Sequence, residues 1–137
     1  MRALVVIVVL EVVAGLGMLP VAAVVAAPMD GSAPILCALS SVVECARGGS
    51  CDRSTPEDAQ VPPFVRINVR QRLLSSVDGV RTSPIAAVQR ANGRLMLQGM
   101  QNERVWGAVI REETGQMSAT VGEDDGAIVI SGACIAP

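Results

Sequence analysis

The residues of this chain whose chemistry is easiest to assign are its four cysteines. Cys37, Cys45, Cys51 and Cys134 form an even set in a chain of 137 residues, and none of them is in a C-x-x-C motif. A thioredoxin-like redox site therefore has no support. A four-cysteine zinc site normally has two closely spaced pairs, whereas Cys134 is isolated near the C-terminus. The set indicates structural disulfides and an oxidising compartment.

Two disulfide pairings remain open. If residues 35–45 are extended, Cys37 and Cys45 lie about 26 Å apart, whereas a disulfide needs Cα atoms about 4.4–6.8 Å apart. The glycine-containing stretch between Cys45 and Cys51 is a flexible turn that can bring those two residues together. We therefore prefer Cys45–Cys51 with Cys37–Cys134. The alternative is Cys37–Cys51 with Cys45–Cys134.

The absence of histidine limits catalysis. Histidine is the usual general base near neutral pH and the commonest metal ligand, so Ser-His-Asp and Cys-His catalysis and histidine-containing zinc sites are excluded. The acids of the loop 122–126 lack the EF-hand spacing, and no two carboxylates are placed together for acid–base work. We expect a protein without enzymatic activity, metal or cofactor. A hydrolase that uses carboxylates alone is the alternative, and it needs two acids converging in a pocket.

The candidate binding residues are Trp106 and three arginines. Trp106 is the one tryptophan of the chain, and it serves either as an anchor in a pocket or interface or as a core residue. Arg66, Arg70 and Arg72 are predicted to line one polar strand face. There they either bind an anionic partner such as a lipid or a wall polymer, or only face solvent. The net charge of −2 and the scarcity of aromatic residues give no basis for nucleic-acid binding.

The N-terminus has the features of an export signal. Residues 3–27 are apolar apart from Glu11, and the run ends in small residues of the kind that precede signal-peptidase cleavage. We interpret residues 1–27 as a signal peptide cleaved after Ala27, with Ala23 as the second choice. An uncleaved membrane anchor and a buried core helix are the alternatives. Glu11 disfavours the anchor, since a charge near the middle of a span costs about 2.5–3.5 kcal/mol.

The remainder divides into a leader, residues 28–34, and one disulfide-linked β domain, residues 35–137. In residues 64–72 apolar and polar side chains alternate, which is typical of a half-buried strand. A similar pattern places Trp106, Ala108 and Ile110 on one face of another strand. Seven strands are predicted in all: 35–45, 64–72, 85–90, 94–100, 104–111, 116–121 and 127–134.

Turn signals between these strands predict the fold class. Asn92-Gly93 favours a tight hairpin because both central residues of a type I′ turn need a positive φ. Short strands at regular spacing predict an all-β antiparallel meander that closes into a small barrel or sandwich, preceded by a signal-peptide helix. Closing a meander places the first strand beside the last. Those strands carry Cys37 and Cys134, so a bond between them would tie the closure.

Several short motifs resemble a family of small uncharacterised exported proteins from proteobacteria. The resemblance covers most of residues 37–134 and rests on Arg81-Thr82-Ser83, on the stretch Asn92 to Gly99, on Trp106, and on Thr114 to Met117 and Gly132 to Cys134. It implies export to the periplasm or the extracellular space but no activity. We expect a binding or accessory domain of the cell envelope, in contact with the membrane only through an uncleaved N-terminal segment. An inhibitor of a lytic enzyme such as lysozyme is the second binding hypothesis, by analogy of fold.

Overall fold

The computed structural model describes residues 27–137, which form nine strands and no helix. The strands are β1 (Ile35–Ala46), β2 (Cys51–Ser54), β3 (Phe64–Asn68), β4 (Leu73–Ser76), β5 (Thr82–Ala91), β6 (Arg94–Gln101), β7 (Arg104–Arg111), β8 (Gln116–Glu123) and β9 (Gly126–Ile135). Strands β3 to β9 each pair antiparallel with the next, and β1 pairs with both β3 and β9. Eight strands therefore close into a barrel, and β2 is an extra strand on β1.

The expected all-β meander is thus confirmed, and the closed form is a barrel. The predicted signal-peptide helix, within residues 1–27, lies outside the described residues except for Ala27. No part of residues 27–137 is a helix long and apolar enough to cross a membrane.

The barrel closes between its first and last strands. Along this closure Cys37 lies opposite Cys134, and a disulfide joins the two residues. A second disulfide joins Cys45 to Cys51 across the β1–β2 hairpin. These are the two pairs that the sequence analysis prefers, and they indicate an oxidising, extracytoplasmic environment.

The predicted strand 64–72 is wrong in its second half. Strand β3 ends at Asn68, and the chain turns before β4. The Asn68 side chain accepts a hydrogen bond of 3.0 Å from the Gln71 backbone N–H, and Arg72 closes the turn with a φ of 50°. The alternation of polar and apolar residues runs on as far as Arg70 and is broken only at Gln71, so the pattern does not reveal where the strand ends. Strands β2 and β4, of four residues each, are not predicted.

The barrel interior follows from the period of two along each strand. On β6, Leu95 and Leu97 are buried, and on β7 Trp106, Ala108 and Ile110 are buried, while their sequence neighbours face outwards or lie half-buried. This confirms the predicted shared face of Trp106, Ala108 and Ile110. The interior of an eight-stranded barrel is just wide enough for such side chains to fill it or to leave space for one small ligand.

The two ends of the barrel differ. The turns after β3, β5 and β7 lie at one end, together with the leader, whose Met29 packs against the core and whose Asp30 carboxylate lies 3.9 Å from the Arg90 guanidinium. We call this the closed end. The turns after β4, β6 and β8 lie at the other, open end. Residues 55–63, here named the cap segment, cross that end, and their first turn begins at Thr55, whose hydroxyl accepts a hydrogen bond from the Asp58 N–H.

Candidate functional site

A cavity of about 590 Å³ lies inside the barrel and reaches the surface at the open end. Its inner walls are apolar, with Leu39, Val65, Trp106, Met117, Ile128 and Ile130 as the larger contributors, whereas polar and charged side chains line the part near the mouth. Side chains near the closed end, such as Ile35 and Leu95, are fully buried, whereas Trp106 and Leu39 each keep 9% of their surface exposed. The volume is within the range of about 300–1,000 Å³ that is typical of small-molecule sites.

Two alanines leave this space unfilled. Ala108 on β7 and Ala119 on β8 are direct partners across the two strands, and both line the cavity. Large residues lie next to them on the same inward faces, namely Ile110 and Met117. Because a side chain of leucine size at either position would occupy the middle of the barrel, the two small residues keep the cavity open.

The wall beside the alanines is formed by Trp106. Its indole N–H donates a buried hydrogen bond of 2.7 Å to the hydroxyl of Ser83 on β5. The ring lies over Gly99 on β6, where a Cβ atom would collide with the indole and with the backbone carbonyl of Pro84. Glycine is therefore required at this position, and the tryptophan orientation is set from two neighbouring strands.

Polar side chains surround the mouth of the cavity. The Arg104 guanidinium lies 3.1 Å from the Glu123 carboxylate. The Arg81 guanidinium donates a hydrogen bond to the backbone carbonyl of Gln60 in the cap segment, and the Gln101 amide donates one of 2.6 Å to the carbonyl of Thr82. An apolar interior below a polar rim suits a ligand with an apolar body and a polar end.

A hydrogen-bonded turn between β4 and β5 supports this rim. The Ser76 hydroxyl, which lines the cavity, donates to the Asp78 carboxylate, and the Val80 N–H donates to the same carboxylate at 3.0 Å. These hydrogen bonds, with that of Ser76 the largest contribution, hold the pKa of Asp78 below its ordinary value. The carboxylate thus remains ionised and keeps the turn in place at neutral pH.

The charged residues are divided unevenly between the two halves of the barrel. In the open half nine carboxylates accompany four arginines, Arg47, Arg53, Arg81 and Arg104. The carboxylates are Glu44, Asp52, Glu57, Asp58, Asp78, Glu103, Glu123, Asp124 and Asp125. The closed half instead carries six arginines and three carboxylates. The mouth of the cavity is therefore the acidic end of the molecule.

The residues selected from the sequence lie in different places. Trp106 is in the cavity wall, so it is both a buried side chain and an element of the candidate site. Arg66 is exposed on β3, whereas Arg70 and Arg72 lie in the β3–β4 turn. The interpretation of the three arginines as one strand face is therefore wrong, because the strand ends at Asn68. All three belong to the closed half, away from the cavity.

Three residues of the site, Ser83, Gly99 and Ala119, are not among those predicted from the sequence. Ser83 precedes the predicted strand 85–90, and its inward position follows only because β5 begins earlier, at Thr82. Gly99 and Ala119 carry no signal of their roles in the sequence, because those roles depend on the side chains opposite them.

The acidic loop at residues 122–126 is a tight turn. The Arg47 guanidinium donates a 2.6 Å hydrogen bond to the Asp124 carbonyl in this loop.

Residues 27–137 hold no cluster of three or more side chains suited to binding a metal ion. In comparisons with known proteins, no family model, no curated protein and no solved structure matches this chain.

Proposed function

We propose that this protein is an exported, non-enzymatic binding protein that takes a small apolar molecule into the open end of its barrel. The observation that carries the proposal is the cavity of about 590 Å³, with apolar walls and a polar mouth. Its opposite end is filled by fully buried side chains and covered by the leader. The site is thus a pocket with one opening, as in barrels that hold one small ligand.

The proposed compartment is the periplasm or the extracellular space, reached with a signal peptide of residues 1–27. The two disulfides support a compartment outside the cytoplasm. The packing of Met29 against the core supports cleavage before the leader, because a cut within it would uncover the closed end. Mass spectrometry of the exported protein should find a chain that begins at Pro28. An intact Met1 on a cytoplasmic protein would refute the proposed route.

The proposal of a binding role rather than catalysis is supported by the state of the carboxyl groups. A carboxylate-only hydrolase needs one acid whose pKa is raised, so that it can donate a proton. The carboxylates that line the cavity are Glu44, Asp58 and Glu123. Glu123 is engaged with Arg104, and the other two are exposed to solvent, so none of the three lies in the enclosed apolar interior.

Binding of a neutral, environment-sensitive dye such as N-phenyl-1-naphthylamine tests the proposal. Saturable dye fluorescence is expected with the unaltered protein. Ala119→Phe fills the cavity and should weaken dye binding by roughly tenfold or more, which is about 1.4 kcal/mol. Thr120→Phe adds the same ring to the outward face of the same strand and should leave binding unchanged. No saturable binding, or equal loss in both variants, would refute the proposal.

The second candidate function is inhibition of a cationic lytic enzyme such as lysozyme. The excess of carboxylates over arginines in the open half favours it, because charge complementarity steers association. A lysis assay with purified lysozyme tests this candidate, and inhibition should weaken as salt concentration rises. Undiminished lysis at a large excess of the protein would remove it.

A further inference from the structure

The closed half of the barrel carries unpaired positive charge. Its arginines include five that take part in none of the ion pairs found among residues 27–137, and we call these five the arginine collar: Arg66, Arg70, Arg72, Arg94 and Arg111. The sixth, Arg90, lies 2.8 Å from the Glu112 carboxylate and 3.9 Å from that of Asp30. The collar follows the turns after β3 and β5 and the end of β7. This end therefore has cations available for an external partner.

Two members of the collar are placed in an unfavourable arrangement. Arg94 and Arg111 are direct partners on β6 and β7, and both side chains are exposed. Like charges directly opposite each other on neighbouring strands repel and destabilise the pair. An anion that lies between the two guanidinium groups would convert this repulsion into attraction for the partner.

The same end joins the apolar N-terminal sequence. The leader residue Met29 packs at the closed end, and the residues that precede the leader in the sequence are almost all apolar. The outer surface there also carries apolar groups, since Ile135 is 59% exposed and lies opposite Leu36, the partner of Arg66. Arginines on one part of this end, together with the exposed Ile135, match an anionic lipid surface, where headgroups attract the cations.

We propose that the closed end docks on a membrane surface that contains anionic phospholipids, with the arginine collar on the headgroups. Docking in this orientation turns the acidic, open end towards the aqueous compartment. The collar acts whether residues 1–27 are removed or retained. This interaction surface is separate from the cavity, so the proposed membrane docking does not depend on whether a ligand binds in the cavity.

Vesicle flotation tests this docking with the chain that starts at Pro28, which contains every strand and both disulfides. The protein should float with vesicles of phosphatidylcholine and phosphatidylglycerol, and not with phosphatidylcholine alone. The double variant Arg94→Gln, Arg111→Gln should weaken flotation by roughly tenfold, since each cation near an anionic surface contributes. The control Arg47→Gln, Arg53→Gln removes the same charge from the open half and should bind like the unaltered protein.

Two outcomes would overturn the inference. Equal losses in the two double variants would show that net charge alone matters rather than the collar. Absence of flotation on anionic vesicles, combined with binding to a soluble polyanion such as heparin, would assign the collar to a polymer instead of a lipid surface. Circular dichroism of both double variants establishes that they are folded, so that a loss of flotation reports on docking.

Discussion

At the scale of single residues, the position of Trp106 depends on the missing side chain of Gly99. A Cβ at residue 99 would collide with the indole ring and with the Pro84 carbonyl. Gly99→Ala should therefore lower the free energy of unfolding by about 1–3 kcal/mol, the usual cost of overpacking. Urea denaturation followed by the fluorescence of Trp106 measures this loss directly, because the chain contains one tryptophan.

Gly107→Ala is the matched control, since its Cβ would meet no atom nearer than the Leu97 carbonyl oxygen at 3.8 Å. This change should alter stability by no more than about 0.5 kcal/mol, as surface substitutions usually do. Equal destabilisation by the two alanines would show that Gly99 has no special role beside the tryptophan.

The sequence predicts the inward direction of Trp106 but not its surroundings. Alternation along β7 is enough to place Trp106 with Ala108 and Ile110, because the side-chain period of a strand is two. The hydrogen bond to Ser83 and the close approach to Gly99 come from pairing with other strands. Such contacts depend on register between β5, β6 and β7, which alternation within one strand does not specify.

At the scale of the elements, the two disulfides should differ in their contribution. Cys37 and Cys134 are 97 residues apart in sequence, and Cys45 and Cys51 are 6 apart. In the chain-entropy model a loop of about 100 residues gives up to about 4.7 kcal/mol, and a short loop gives less. Replacing the first pair by alanines should therefore lower the urea midpoint more than replacing the second pair.

Single replacement of Cys134 by Ser should destabilise the protein by a few kcal/mol and leave the bond between Cys45 and Cys51 intact. Peptide mapping checks that bond, and a thiol assay on the unaltered protein should find no free thiol after denaturation. A link between Cys45 and Cys134, or a larger stability loss on removing the hairpin disulfide, would contradict this account of the barrel closure.

The turn between β4 and β5 predicts a pH dependence. The pKa of Asp78 is lowered from 3.8 in the folded chain, chiefly by the hydrogen bond from Ser76. Its contribution to stability is thus fully present above that ordinary value and is lost as the pH falls through the lower, folded value. Asp78→Asn should be less stable than the unaltered protein at neutral pH, and the two should converge in acid.

Urea denaturation across this pH range provides the measurement, with Asp52→Asn as the control. Asp52 is an exposed residue on β2 whose side chain makes no hydrogen bond within residues 27–137. A stability difference for Asp78→Asn that stayed constant below pH 3.8 would contradict the role assigned to its carboxylate.

Strand prediction succeeded where turns carry their own residue signals. Asn92 and Gly93 both have a positive φ, and the strands before and after them are present as expected. The turn after β3 instead contains Val69 and Arg70, which continue the alternation of the strand as far as Gln71. Strand β2 is not predicted because three of its four residues are exposed. Its sequence therefore lacks the alternation of apolar and polar side chains that marks a half-buried strand.

At the scale of the whole molecule, the barrel has two ends with different properties. The closed end is basic and is covered by the leader, whereas the open end is acidic and leads to the cavity. The closure of the meander was predictable because it pairs the cysteine-bearing terminal strands. The cavity was not, since its space depends on small residues such as Ala108 and Ala119 that face each other across β7 and β8.

The central claim is that a small apolar molecule occupies this cavity, and quenching of Trp106 tests it most directly. The indole lines the cavity, so a brominated long-chain alcohol bound there should quench its fluorescence in a saturable manner. The account predicts that Ala119→Phe weakens this quenching by roughly tenfold or more, while Thr120→Phe leaves it unchanged. Absence of saturable quenching in the unaltered protein, or identical quenching in both variants, would contradict the account.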